Sequence, residues 1–411
     1  MVLSPAVQRA VERLLSLRFG SRVRIAGVER FPYSSVSRCT LAAPGGPQSV
    51  IVRVPRDVRD DPARAGPAPL GEERATLEFL SAIGSTLAPR CIAGDASAGI
   101  LITEDLGTHP SLLDLLLGSD AAAAQRGALA FARGLGALHA QTIGRAAAYE
   151  ERRAQLRPAD AAAERPGVRA DILEQWRLVR EATAQLGLPR PVGVDDDIAE
   201  VARALAAPGA YLALSNGDPS PVNCKVVPGA VRFFDSVRFF DSVRFFDFEA
   251  AGYRHALVDA TVLRYLYPTG GLPWRLPPEV ADLLEPAYRQ EIAPACPDAL
   301  DDADYEPGMA TASAAWTITR MARLPRVEAG PDRDSWKLLP PGWSAPIPTR
   351  SRRRQLVAIV ETCIASLRRA GTLAALASWC ERTLVALRGR WLEAMEERPL
   401  YPAFSGRWAD R

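Results

Sequence analysis

The residues best suited to chemistry lie in one stretch, 212–260. Gly217-Asp218 is followed five residues later by Asn223, an apolar strand pattern then ends in Asp247, and Asp259 comes twelve residues further on. Carboxylate and amide oxygens are hard donors of the kind Mg²⁺ takes, and Mg²⁺ keeps waters and substrate phosphates in the rest of its shell. The set therefore suits a site that binds a metal and a phosphate donor. The plainer reading of its first part is a Gly-Asp turn with Asn as a second turn former.

The same stretch repeats itself. VRFFDS occupies 231–236 and again 237–242, and VRFFDF fills 243–248. The spacing of six is even, so a slip of one copy returns each strand side chain to the same face. Packing alone therefore cannot choose among Asp235, Asp241 and Asp247. Two registers compete. A short hairpin through 231–234 would make Asp235 the metal ligand. A strand made from the third copy would make it Asp247 and leave 231–242 as an extruded loop.

The elements that must position these groups come from a chain of 411 residues, long enough for two or three domain-sized units. Net charge is +2, which implies no global affinity for nucleic acid or an anionic membrane. Six scattered cysteines without a CxxC pair and three separated histidines argue against a zinc site and for free thiols in a reducing compartment, so a cytoplasmic location is expected. The first twenty residues are amphipathic rather than uniformly apolar, unlike a signal peptide, and no long apolar run suggests a membrane span.

Periodicity predicts helices over 4–19 and 72–83, and strands over 23–31, 37–43, 49–54 and 99–103. Ser111 with Asp114 three residues on marks a capped helix start. Helices are then expected over 121–142, 169–186, 255–266 and 278–291, with a hairpin of helices over 352–369 and 372–395 turning at Gly371. The order is a β-rich first part with one inserted helix, then a mainly helical part. A doubly wound fold, which alternates strand and helix throughout, fits poorly.

With these elements in place, residues 20–300 resemble the aminoglycoside phosphotransferase and choline kinase-like family. The resemblance rests on Asn216-Gly217-Asp218 with Asn223, on Asp247-Phe248-Glu249, and on the continuation AAGYRHALVDA ending near Asp259. It implies an α+β, bilobal protein-kinase-like fold: an N-lobe over 1–107 and a helical C-lobe over 108–411, with 350–411 as a helical extension. It implies ATP and Mg²⁺ as cofactors, Asp218 as catalytic acceptor of the hydroxyl proton, and Asn223 with Asp247 (alternatively Asp235) as metal ligands. Asn216 and Asp259 would brace the loop. Arg53 would grip phosphate and pair with Glu73. Ser35 and Ser37 would belong to the nucleotide loop, and Glu104 and Leu106 to the hinge that meets adenine. Asn216 departs from the family's His at that position, although an amide also donates and accepts.

The expected activity is transfer of the γ-phosphate of ATP to a hydroxyl of a small molecule, aminoglycoside-like or another metabolite. A catalytically weakened, pseudokinase-like nucleotide-binding module is the alternative, suggested by Asn216 and a nucleotide loop without glycine. Acidic runs at 195–197 and at Asp298, Asp301, Asp302 and Asp304 could draw in a cationic acceptor, but such runs more often start helices. Trp316, Trp336 and Trp343 are candidates for an aromatic pocket, with core packing the better reading.

Overall fold

The computed structural model describes residues 3–31, 36–42, 46–54, 70–95, 98–156, 172–233, 236–265, 274–329, 352–395 and 397–408. In chain order the first elements are α1 (Pro5–Phe19), β1 (Arg24–Arg30), β2 (Val36–Ala42), β3 (Ser49–Arg53), α2 (Leu70–Ala82), β4 (Cys91–Asp95) and β5 (Ile100–Glu104). Next come α3 (Leu112–Leu117), α4 (Ala121–Thr142), α5 (Ala146–Leu156), α6 (Ile172–Gln185) and α7 (Asp195–Ala206). The strands β6 (Leu212–Ser215), β7 (Cys224–Phe233), β8 (Ser236–Phe245) and β9 (Gly252–His255) follow. The remainder is helical: α8 (Leu257–Arg264), α9 (Pro278–Ile292), α10 (Asp302–Met321), α11 (Leu324–Ala329), α12 (Arg352–Ala370), α13 (Ala374–Arg390) and α14 (Pro402–Trp408). Two compact units result. The first holds Met1–His109, Arg145–Ala163 and Arg244–Gly252, and the second holds the rest.

The first unit is built on an antiparallel sheet of order β1-β2-β3-β5-β4. Strand alternation puts Cys39, Leu41, Val50 and Val52 on the buried face, where Val11 and Leu15 of α1 close the core. Ser4 caps α1 by accepting from the Val7 N–H, and Gly20 at φ 65° ends it. Within α1, Glu12 accepts from the Ile25 N–H and the Arg24 guanidinium and so ties the helix to β1. On α2, Phe79 meets Tyr149 of α5 edge-on at 5.5 Å, and Glu72 accepts from Arg153. The strand β4 was not legible in the sequence, because CIAGD carries two small residues and no apolar alternation.

The second unit has a helical core to which α6, α7, α10, α12 and α13 all contribute. The helical hairpin beyond 350 therefore shares this core, with Trp379 of α13 meeting Trp176 of α6 edge-on. Helix α10 escaped the sequence reading for a physical reason. It is buried on nearly every side, from Tyr305 to Met321, so it shows no polar face, and it also contains Pro307. The acidic runs serve helix starts: Asp195–Asp197 form the first turn of α7, and Asp301 caps α10 by accepting from the Ala303 N–H. Trp316 is buried beside Tyr265, whereas Trp336 and Trp343 lie outside the described residues.

Helices α4 and α9 approach so closely that a Cβ on Gly136 would lie 2.6 Å from the Tyr288 carbonyl oxygen. Replacing Gly136 with alanine gains at most ~1 kcal/mol of helix propensity. The contact is with backbone, which cannot swing away, so overpacking wins. The variant should lose about 1–3 kcal/mol, read as a lower urea midpoint.

The repeat differs from both registers expected of it. Strands β7 and β8 are ten residues each and pair as a two-stranded sheet, so the copies are absorbed into a longer hairpin. The expected extruded loop over 231–242 is not formed. Lengthening both strands lets the added backbone N–H and C=O groups pair with each other rather than with water. Asp235 lies outside the described residues, and Asp241 in β8 pairs with Arg126 at 3.1 Å.

Candidate active site

In the second unit, the loop between β6 and β7 is held from below by one carboxylate. Asp259, in the first turn of α8, accepts from the Ser215 hydroxyl at 2.7 Å, the Asn216 N–H at 2.7 Å and the Gly217 N–H at 3.4 Å. An anion in the first turn of a helix also faces the positive end of the helix dipole. Gly217 sits at φ 86°, a backbone that side chains disfavour, so a glycine is needed there. The Asn216 side-chain amide oxygen, Oδ1, then accepts from the Asp218 N–H at 3.2 Å, which turns the chain outward. Asp218 is exposed, whereas Asn216 is fully buried and its amide nitrogen has no hydrogen-bond partner.

Asn223 closes this loop. Its amide nitrogen donates to the Asp218 carbonyl at 3.1 Å and to the Asp218 carboxylate at 3.4 Å. The far side is pinned by the Leu113 N–H on the Pro221 carbonyl and by the Val226 N–H on the Pro110 carbonyl. The spacing of five between Asp218 and Asn223 thus places carboxylate and amide side by side.

The first unit contains a second cluster, centred on Arg53 at the end of β3. One terminal nitrogen of its guanidinium donates to Glu73 of α2 at 2.6 Å and to Asp247 at 2.8 Å, and the other to Glu249 at 2.6 Å. Three carboxylates surround one cation. Burial pushes the Glu73 carboxyl up to about 7, Asp247 and Glu249 push the same way, and Arg53 only partly offsets them. Burial works against the charge of Arg53, yet the three carboxylates outweigh it and raise its pKa. Asp247 sits at φ 62° and ψ 54°, outside the regular strand. A left-handed backbone at a non-glycine residue stores strain of the kind found at functional sites.

The raised Glu73 pKa has a consequence for stability. A carboxyl that keeps its proton longer in the folded state makes folding most favourable below its unfolded value of 4.5, and that contribution falls as pH rises through about 7. The loss should reach ~3 kcal/mol at most. Urea midpoints at about pH 5 and about pH 8 should show this decline in the wild type. Glu73→Gln should lack that part of it, because the groups common to both proteins cancel.

The remaining residues expected from the sequence fall as follows. Ser37 is buried in β2, opposite Val52, and Ser35 lies outside the described residues. Glu104 ends β5, pairs with Arg244 at 3.1 Å and accepts from the Arg90 N–H. Burial opposes its charge, but the Arg90 N–H and the Arg244 guanidinium hold its carboxyl below the usual range. Leu106 is half-buried. Asp105, not singled out in the sequence, joins the segment to β2 and β3 by accepting from Arg38 at 2.6 Å and from the Ser49 hydroxyl at 2.7 Å. A cavity of about 580 Å³ in this unit is lined by Arg18, Phe19, Arg90, Cys91, Glu104 and Asp105 among others, and none of Arg53, Glu73 or Asp247 lines it.

Sequence reasoning gave no role to Glu249, which stands two residues after Asp247 and meets Arg53 as a third acid; its place in the Asp247-Phe248-Glu249 run was the one signal that could have found it.

Among the described residues no three His, Cys, Asp or Glu side chains gather as a metal cluster. Taken separately, the Asp247 carboxylate in the first unit and, in the second, the amide oxygen of Asn223, whose nitrogen is turned to Asp218, are hard donors of the kind Mg²⁺ takes along with phosphate oxygens and waters.

Comparison with known proteins returns no matching family model and no matching curated protein. Among solved structures, the chain is similar to a choline/ethanolamine kinase family protein from Mesorhizobium loti, with 14% identity, 86% of this chain and 93% of that chain covered, and a TM-score of 0.43. It is also similar to the choline kinase LicA from Streptococcus pneumoniae, with 13% identity, 88% and 99% covered, and a TM-score of 0.41.

Proposed function

We propose that this chain is an ATP- and Mg²⁺-dependent phosphotransferase that moves the γ-phosphate to a hydroxyl of a small molecule. The observation that carries the reading is the braced loop, in which an exposed Asp218 stands beside Asn223 on a backbone anchored by Asp259. Phosphoryl transfer asks mostly for positioning and charge neutralisation. Asp218 orients the acceptor hydroxyl and takes its proton as the oxygen bonds to the γ-phosphorus. The bond from that phosphorus to the β-bridging oxygen breaks, and ADP carries away the electron pair. Arg53, held by Glu73, offers its fork to the donor phosphates. Asn223 is the ligand that the second unit would offer to a magnesium ion and Asp247 the one that the first would offer, and the ion would supply neutralisation of charge on the phosphate oxygens.

A second reading is favoured by one observation: the Arg53 guanidinium already serves three carboxylates. A nucleotide-binding module that does not turn over would tolerate this arrangement. The test is transfer from γ-labelled ATP, with and without Mg²⁺, to a panel of hydroxylated metabolites that includes choline and aminoglycosides. A labelled acceptor formed only with Mg²⁺ supports the enzyme. Mg²⁺-dependent ATP binding with neither transfer nor hydrolysis supports the module.

A further inference from the structure

Strand alternation separates the 580 Å³ cavity of the first unit from the Arg53 cluster. Val50 and Val52 of β3 point toward α1, so Ile51 and Arg53 point to the other face of the sheet. Glu104 stands opposite Val50 in the β3–β5 ladder and shares its face. Glu104 lines the cavity together with Phe19 at the end of α1, so the cavity lies on the α1 side. Its volume falls in the range of about 300–1,000 Å³ that small-molecule pockets occupy. Phe19, Pro47 and Ile92 give it an apolar wall.

The polar side of the cavity is short of acceptors. The Asp105 carboxylate accepts from Arg38 at 2.6 and 3.2 Å, from the Ser49 hydroxyl at 2.7 Å and from the Gly107 N–H at 2.8 Å. Glu104 accepts from the Arg90 N–H at 3.2 Å and pairs with Arg244 at 3.1 Å. Burial opposes both charges, yet these donors hold both carboxyls below the usual range. Burial pushes the Cys91 thiol up to about 12, so it stays neutral. Arg18, by contrast, is exposed in the last turn of α1 and makes no hydrogen bond or ion pair with the described residues. The Arg90 side chain is 72% exposed and reaches Glu104 only at 3.5 Å. Two guanidinium groups thus have donors to spare beside an apolar wall. We propose that this cavity is an accessory binding site for a small organic anion, a carboxylate, sulfonate or phosphate carried on an apolar ring. The oxyanion takes donors from Arg18 and Arg90, and the ring packs on Phe19 and Ile92. A cationic ligand would find both carboxylates already taken. The site does not depend on the phosphotransferase reading.

The experiment titrates the full chain with 8-anilinonaphthalene-1-sulfonate, an aromatic oxyanion of this class, and follows its fluorescence. A parallel titration uses N-phenyl-1-naphthylamine, which has the same rings and no sulfonate. The sulfonate should saturate a single site, and the neutral amine should bind about tenfold more weakly. Arg18→Gln and Arg90→Gln should each raise the Kd of the sulfonate about tenfold, and the double variant about 100-fold, since each change removes one charge-assisted contact. Both side chains are exposed, so these variants should keep the wild-type thermal melt. Arg90→Lys, which keeps the charge but not the fork, should lose less than Arg90→Gln. Arg53→Gln should bind the sulfonate as the wild type does, because Arg53 points to the other face of the sheet. A double variant whose Kd stays within about twofold of the wild type overturns the proposal. So does a neutral amine that binds as tightly as the sulfonate, or a loss of about tenfold in Arg53→Gln, which would put the probe at the Arg53 cluster instead.

Discussion

Asp218→Asn should reduce phosphotransfer by about 10²- to 10⁴-fold while leaving the folded protein and its nucleotide affinity nearly unchanged. The amide has the shape of the carboxylate and keeps an oxygen toward the Asn223 amide nitrogen, 3.4 Å away in the wild type. It cannot take a proton from the acceptor hydroxyl. The anchors of the loop are elsewhere, on Asp259, and are untouched by the change. Because Asp218 is exposed, its replacement should alter stability by no more than ~0.5 kcal/mol. The measurement is kcat at saturating ATP and acceptor, alongside a thermal melt and ATP titration. A variant that keeps more than about a tenth of the wild-type rate removes Asp218 from the chemistry and leaves it a turn residue.

What the sequence could reveal about this loop, and what it could not, follows from distance along the chain. Asp218 and Asn223 meet across a turn of a few residues, so their spacing alone brings their side chains together. Asp259 is more than forty residues from the N–H groups it accepts from, and only the family-like continuation up to it suggested a brace. The Arg53–Glu73 ion pair was expected in the same way, by resemblance rather than by pattern. Helices α1 and α6 were legible by their one polar face, and α10 was lost because it has none. The hairpin β7–β8 was misjudged for another reason. Its copies are interchangeable in strand register, so the sequence held no preference between a loop and a longer ladder, and backbone pairing decided it.

That interchangeability makes Asp247 the more searching test. Three aspartates stand in equivalent copies, at 235, 241 and 247, and the surroundings of Asp241 and Asp247 differ. Asp241 lies within β8 and pairs with Arg126. Asp247 stands beyond the strand in a left-handed backbone, 2.8 Å from Arg53. Asparagine is among the residues that accept this backbone best, so Asp247→Asn should not disturb the chain locally. It should nevertheless lower kcat by about 10³-fold and abolish the Mg²⁺ dependence of ATP binding, since an amide neither neutralises the ion nor replaces a carboxylate charge. Asp241→Asn should keep full activity. A chain lacking 231–242, which retains AVRFFDFEAAGY, should also stay active, because the deletion removes two copies and leaves Asp247 with its own. Full activity in Asp247→Asn would return the metal role to another copy. Stability supplies an independent sign. Asp247 is one of the like charges that raise Glu73, so the amide should bring the Glu73 pKa down and flatten the fall of stability between about pH 5 and about pH 8. A purely structural Asp247 would give the reverse pattern: stability lost with the Arg53 contact, and the rate of each remaining folded molecule intact.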